Sequence, residues 1–95
     1  MRICWSPEAV DDLAELRAHI AEDDPYAAQR VAFRILEAVE TLLARNPAVG
    51  RPGRVPGTRE LIVARTPYIV PYRLVGETLQ ILRVYHSARR WPDRF

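Results

Sequence analysis

Between Ser6 and Leu43 two amphipathic helical stripes follow one another with almost nothing between them, and this constrains the fold more than any other feature. Val10, Leu13, Leu16 and Ile20 recur at helical spacing, with Asp11, Asp12, Glu15 and Glu22 on the other faces. Ser6-Pro7 supplies the start, a capping hydroxyl followed by proline at the first helical position. Asp23-Asp24-Pro25 repeats that signal, and Ala28, Val31, Ala32, Ile35, Val39, Leu42 and Leu43 form the second stripe, which ends near Asn46-Pro47. Two helices joined by so short a turn predict an antiparallel hairpin whose remaining apolar face must be covered by another layer.

The covering layer is predicted from the C-terminal half. Residues 59–65, 68–75 and 79–85 read as three short apolar strands, separated by Thr66-Pro67 and by Gly76-Glu77-Thr78, both suited to tight turns. Arg2 to Trp5 reads as a first strand. Asn46 to Thr58 holds three prolines and three glycines and predicts a loop, neither helix nor regular strand, carrying Arg51 and Arg54. The expected architecture is α+β in the order β-α-α-β-β-β: an N-terminal strand, an antiparallel helix hairpin, then a three-stranded antiparallel meander. The first strand is added along one edge, and the helices cover one face.

Strand parity divides the predicted sheet into two faces. Tyr68, Val70, Tyr72 and Leu74 form the set expected to meet the helices, which leaves Arg73 on the open face. Pro71 cannot donate a ladder hydrogen bond, so an irregularity is expected there. If Arg83 shares the open face with Arg73, simple alternation puts Tyr85 there too and sends His86 to the opposite side, unless the strand has already ended.

With 95 residues, 48% of them hydrophobic and 27% charged, the chain is expected to form one domain spanning residues 1–95, neither disordered nor membrane-bound. The N-terminus lacks the regions of a signal peptide, and a cytoplasmic location is expected. The single cysteine, Cys4, cannot form an internal disulfide and is expected to be a small buried hydrophobe of the first strand. No metal-ligand cluster, glycine-rich phosphate loop or hydrolase triad is present, so neither metal nor cofactor is expected.

The charge is divided along the chain. Residues 1–40 hold four arginines against nine acids, and residues 41–95 ten arginines against three. Every lysine-type position is arginine, the side chain suited to bidentate pairing with phosphate or carboxylate. Arg54, Arg59, Arg65, Arg73, Arg83, Arg89 and Arg90, with Tyr85 and Trp91, predict a basic surface with aromatic members that suits a phosphate backbone, a stacked base or an acidic peptide. His19 lies among charged helix neighbours and is expected at the surface. His86 ends the basic strand set, where proton transfer and simple hydrogen bonding are both open.

Trp5-Ser6-Pro7-Glu8-Ala9 with Asp12-Leu13, the loop Asn46-Pro47 to Gly50-Arg51-Pro52-Gly53, Arg59-Glu60-Leu61, the Tyr72-Arg73 pair and Ile81-Leu82-Arg83-Val84-Tyr85-His86-Ser87-Ala88-Arg89 together resemble the RelE/ParE superfamily of type II toxin-antitoxin toxins. The resemblance spans nearly the whole chain and implies a growth-inhibiting toxin held by a cognate antitoxin that folds on its surface, with operator DNA reached only through that antitoxin. Members similar to ParE, which include plasmid-stabilisation proteins, inhibit DNA gyrase by a protein contact. Members similar to RelE cut mRNA on the ribosome without metal, and some toxins of this kind could serve only to bind an antitoxin.

In the RelE-like case the resemblance implies catalytic roles for Arg73 and Arg83 on the phosphate and for His86 or Tyr85 as proton donor. In either case it implies a target surface of Arg65, Arg73, Arg83, Tyr85, Arg89, Arg90 and Trp91. The chain departs from the ribosome-dependent nucleases in lacking lysine and any tyrosine after Tyr85, and Glu60 is the only carboxylate between Glu40 and Glu77. These departures favour the ParE-like alternative.

Overall fold

The computed structural model describes residues 1–95. Helix α1 spans Pro7–Ala21 and starts where the sequence says it should, with the Ser6 side chain accepting from the Ala9 amide at 3.0 Å. Helix α2 spans Pro25–Glu37, capped by Asp24, whose Oδ1 accepts from the amides of Tyr26 and Ala27. The expected single second helix changes character after Glu37: Ala38–Leu43 forms a π-helical segment. Val39 and Leu43 stay buried through it, while Leu42 turns outward.

Six strands form one sheet: β1 (Arg2–Trp5), β2 (Arg51–Pro52), β3 (Arg59–Ile62), β4 (Tyr68–Val75), β5 (Thr78–Ile81) and β6 (Tyr85–His86). The order is β1-β5-β4-β3-β2, with β6 also paired to β4. The meander is antiparallel as expected, and β1 adds along the β5 edge in parallel. The Asn46–Thr58 segment is not wholly irregular, because Arg51 and Pro52 pair with Glu60 and Arg59 at the far edge.

Both helices lie on one face. Ala9 and Leu16 of α1, together with Ile35, Val39 and Leu43, pack on Leu61, Val70, Tyr72, Leu79 and Ile81, all buried. At about 25 cal/mol per Å² of apolar surface removed from water, this layer is the main stabilising term. Leu74 departs from expectation and is 50% exposed. It lies past the end of β3, which pairs with β4 only up to Tyr72, so only β5 flanks it, through Leu79. Cys4 is likewise exposed and not buried: in β1 only Ile3 and Trp5 face the helices, and alternation turns Cys4 to the other side.

The last predicted strand is broken by a bulge. Tyr72 pairs with Ile81 and Leu82 N–H donates to the Pro71 carbonyl, but beyond that Ile69 pairs with Tyr85. Val70 therefore faces two residues, Arg83 and Val84, and the alternation of faces resets at that point. The irregularity expected at Pro71 falls one residue along, on the neighbouring strand. Val84 turns into the core, Tyr85 to the open face and His86 to the side of Tyr68.

Candidate functional site

The open face of the sheet is partly roofed by the C-terminal tail, residues 87–95, which has no regular secondary structure. Between tail and sheet lies a cleft of about 620 Å³. Arg73 comes from β4, Leu82, Arg83 and Tyr85 from the bulged strand, Arg89, Arg90, Trp91, Arg94 and Phe95 from the tail, and Ser6 and Glu8 from the start of α1.

Tyr85 is the centre of this arrangement and is 1% exposed. Trp91 meets it edge-on with ring centroids 5.1 Å apart, and Phe95 lies 6.2 Å away. The guanidinium of Arg89 sits 4.3 Å from the Tyr85 ring centroid and that of Arg83 4.7 Å, while Arg54 covers Trp91 at 4.2 Å. Cation–π attraction thus orders side chains that would otherwise be free in solvent.

Arg83 is anchored from the helix layer. Its Nε and Nη2 donate to the two oxygens of Asp12 on α1 at 2.7 and 2.9 Å. The Asp12 hydrogen bond holds the guanidinium proton more firmly than usual, pushing the Arg83 pKa up against a smaller opposing effect of burial. Arg83 thus does not lie beside Arg73 on the open face as expected, because its place before the bulge aims it toward α1. It still lines the same cleft as Arg73, which is tied to Gln80 through Nε at 2.9 Å.

Of the residues expected at a target surface, Arg73, Arg83, Tyr85, Arg89, Arg90 and Trp91 line the cleft. Arg65 does not. It occupies the β3–β4 turn with a positive φ of 62° and borders a separate groove of about 360 Å³ with Arg34, Leu42, Arg45 and Ile62. His86 is also outside the cleft: its ring meets Tyr68 edge-on at 5.6 Å, and its Nδ1 accepts from the Ala88 amide.

Two other members of the predicted basic surface, Arg59 and Arg54, are structural, as is their loop neighbour Arg51. Arg59 donates to the carbonyls of Gly50 and Ala48. Arg51 donates to Glu60 through Nε and Nη2, and Arg54 gives Glu60 its backbone amide at 2.7 Å. Glu60 is buried with its oxygens so engaged, which makes it the clasp of the Gly-Pro loop. Asp12, Glu8, Arg94 and Phe95 also neighbour this site without a sequence signal of their own, beyond the place of Glu8 and Asp12 in the N-terminal run that carries the family resemblance.

A family model described as the ParE toxin of the type II toxin-antitoxin system parDE matches residues 3–91. The chain belongs to the ParE toxin family. This ParE-family toxin is 50% identical over 92 residues to the proposed toxin Y4kP of Sinorhizobium fredii, covering 97% of this chain and 94% of that protein. Toxin RelE2 of Caulobacter vibrioides is 35% identical, with 93% and 97% covered. Among solved structures, the chromosomal ParDE system of P. aeruginosa aligns with a TM-score of 0.80 at 34% identity, covering 90% of this chain and 95% of that one. The RelBE2 toxin–antitoxin complex of Mycobacterium tuberculosis aligns at 0.65 and 30%, with the same coverage. The toxin has no helix long and apolar enough to cross a membrane, and no group of three or more His, Cys, Asp or Glu side chains placed to hold a metal ion.

Proposed function

We propose that this ParE-family toxin arrests growth in the cytoplasm by binding DNA gyrase, and that it is held inactive by a cognate antitoxin. The observation that carries the gyrase reading is the make-up of the cleft. It gathers arginines and aromatic rings but no acid–base pair: His86 faces the other side, Glu60 is buried and fully engaged, and Glu8 is the only carboxylate at the rim. General acid–base hydrolysis needs both partners within reach of one substrate. A protein contact needs only anchored cations and a shaped surface.

For the antitoxin, the second groove offers apolar surface that shares no lining residue with the cleft. Leu42 and Ile62 are 45% and 55% exposed there and are flanked by Arg34, Arg45 and Arg65. An amphipathic segment with acidic flanks suits this combination, and the solved relatives are toxin–antitoxin systems.

Ribosome-dependent mRNA cleavage is the second reading, favoured by Arg73 and Arg83 lining one cleft. Incubating the toxin with gyrase and supercoiled plasmid is expected to accumulate cleaved DNA, with mRNA left intact in a translating extract. Cut mRNA and unaffected gyrase, with the cutting abolished by Arg83→Ala, would replace the first reading by the second. No growth arrest on expression without the antitoxin would sink both.

A further inference from the structure

Five arginines line the cleft, and only one of them has a carboxylate. Arg83 is paired with Asp12, whereas Arg73, Arg89, Arg90 and Arg94 make no ion pair. Like charges held in one concavity repel each other, and its low-dielectric walls concentrate their field. A bound anion relieves that repulsion.

The central aromatic ring of the cleft is already occupied. Tyr85 is buried beneath the Arg83 and Arg89 guanidiniums, with Trp91 and Phe95 against its other sides, so it offers no face on which a base could stack. With that ring covered and only Phe95 partly open at the edge, the site meets a ligand chiefly with guanidinium forks, which read backbone charge and not base identity. A peptide is a poorer match. Of the strands beneath, β5 is paired along both edges, and β4 lacks a neighbour only over the three residues Arg73 to Val75, too short a run of free backbone for an added strand. An acidic peptide would carry charge only where its sequence placed carboxylates, whereas a phosphodiester chain carries one at every nucleotide.

We propose that the cleft binds the phosphodiester backbone of a nucleic acid, with Arg73, Arg89, Arg90 and Arg94 taking phosphate oxygens and the bases left unread. This contact goes beyond the gyrase reading and rests on it only for DNA being the strand met in the cell. Bound to gyrase, the toxin would touch protein and DNA together.

Fluorescence anisotropy of the purified toxin with labelled DNA and RNA oligonucleotides of matched mixed sequence tests the contact directly. Binding is expected to weaken with salt with a log–log slope of roughly −3, near the value for four neutralised phosphates. Arg90→Gln/Arg94→Gln is expected to make the slope shallower by between about 1 and 2 with unchanged thermal unfolding. The charge-matched control Arg17→Gln/Arg30→Gln, on the helices, is expected to leave the slope as it was. DNA binding at least as tight as RNA binding supports the contact with DNA as its source, and clearly tighter RNA binding supports it with RNA as the source.

Three results would overturn the proposal: no salt-dependent binding to either strand, an equal loss in the helix control, or a polyglutamate peptide binding more tightly than both oligonucleotides. Gyrase inhibition is scored separately. Its survival without oligonucleotide binding removes the nucleic-acid contact alone, and its absence with oligonucleotide binding intact removes the gyrase reading alone.

Discussion

Asp12 and Arg83 lie 71 residues apart in sequence and close a bidentate ion pair between helix α1 and the bulged strand. The same Asp12 Oδ2 also accepts from the Val84 amide at 3.0 Å, the backbone donor displaced by the bulge. One carboxylate thus anchors a cleft arginine and fixes the residue at which the sheet changes faces. Removing it leaves a partly buried guanidinium and a backbone N–H without partners. Asp12→Ala is expected to destabilise the fold by about 2–3 kcal/mol, read as a lower melting temperature. It should also abolish growth arrest. Asp12→Asn keeps an acceptor for Val84 and is expected to recover more than half of the lost stability. Equal losses in the two variants would show that the backbone bond contributes little.

Tyr72 ties the Gly-Pro loop to the core. Its hydroxyl donates to the Pro47 carbonyl at 2.6 Å and accepts from the Gly50 amide at 2.9 Å. Burial pushes its pKa up, more than the Gly50 hydrogen bond and the Arg59 charge pull it down. A group with a raised folded pKa contributes stability that is full below its unfolded value, about 10 for tyrosine, and is lost as pH climbs through the folded value. Unfolding midpoints are therefore expected to fall above about pH 10. Tyr72→Phe is expected to cost about 1–3 kcal/mol at neutral pH and to flatten that alkaline decline, with Tyr68, also raised by burial, accounting for what is left. An alkaline decline unchanged in Tyr72→Phe would assign it elsewhere.

Much of the fold was legible because its signals are local. Ser6-Pro7 and Asp24-Pro25 declare helix starts within four residues, and the alternation of Tyr68, Val70 and Tyr72 follows from strand geometry alone. The bulge at Arg83–Val84 was not legible, since its stabilising acceptor, Asp12, comes from a helix far away in sequence. That one displaced residue decides which way Val84, Tyr85 and His86 point, while Arg83, just before it, is aimed toward α1. Six of the residues expected at a target surface do share a cleft. The grouping follows from the tail folding back on Tyr85, a long-range aromatic contact with no periodic signature.

Arg65 holds a left-handed backbone conformation with φ at 62°, a region where a side chain is strained and glycine is not. Its carbonyl accepts from Arg34 Nη1 at 3.3 Å, a contact that any residue there can keep. Arg65→Gly is expected to leave stability within about 1 kcal/mol of the parent in denaturant unfolding. Because Arg65 borders the groove proposed for the antitoxin and not the cleft, the variant should weaken antitoxin binding by calorimetry and leave gyrase inhibition intact. Loss of gyrase inhibition would return Arg65 to the target surface.

Trp91 separates ring packing from hydrogen bonding within the cleft wall. Its indole Nε1 is buried without a hydrogen-bond partner, whereas its ring carries Arg54 on one face and meets Tyr85 and Phe95. Trp91→Phe removes the orphaned N–H and keeps an aromatic ring for Arg54 and Tyr85. It is expected to change stability by less than about 1 kcal/mol, the lost ring area offset by relief of the unsatisfied donor. Trp91→Ala leaves Arg54 and Tyr85 uncovered and is expected to cost about 2–3 kcal/mol and to release the tail, seen as faster amide exchange and earlier proteolysis within residues 87–95. If Phe proved as damaging as Ala, the indole N–H would have to meet a partner in solution, and the cleft would close differently around residue 91.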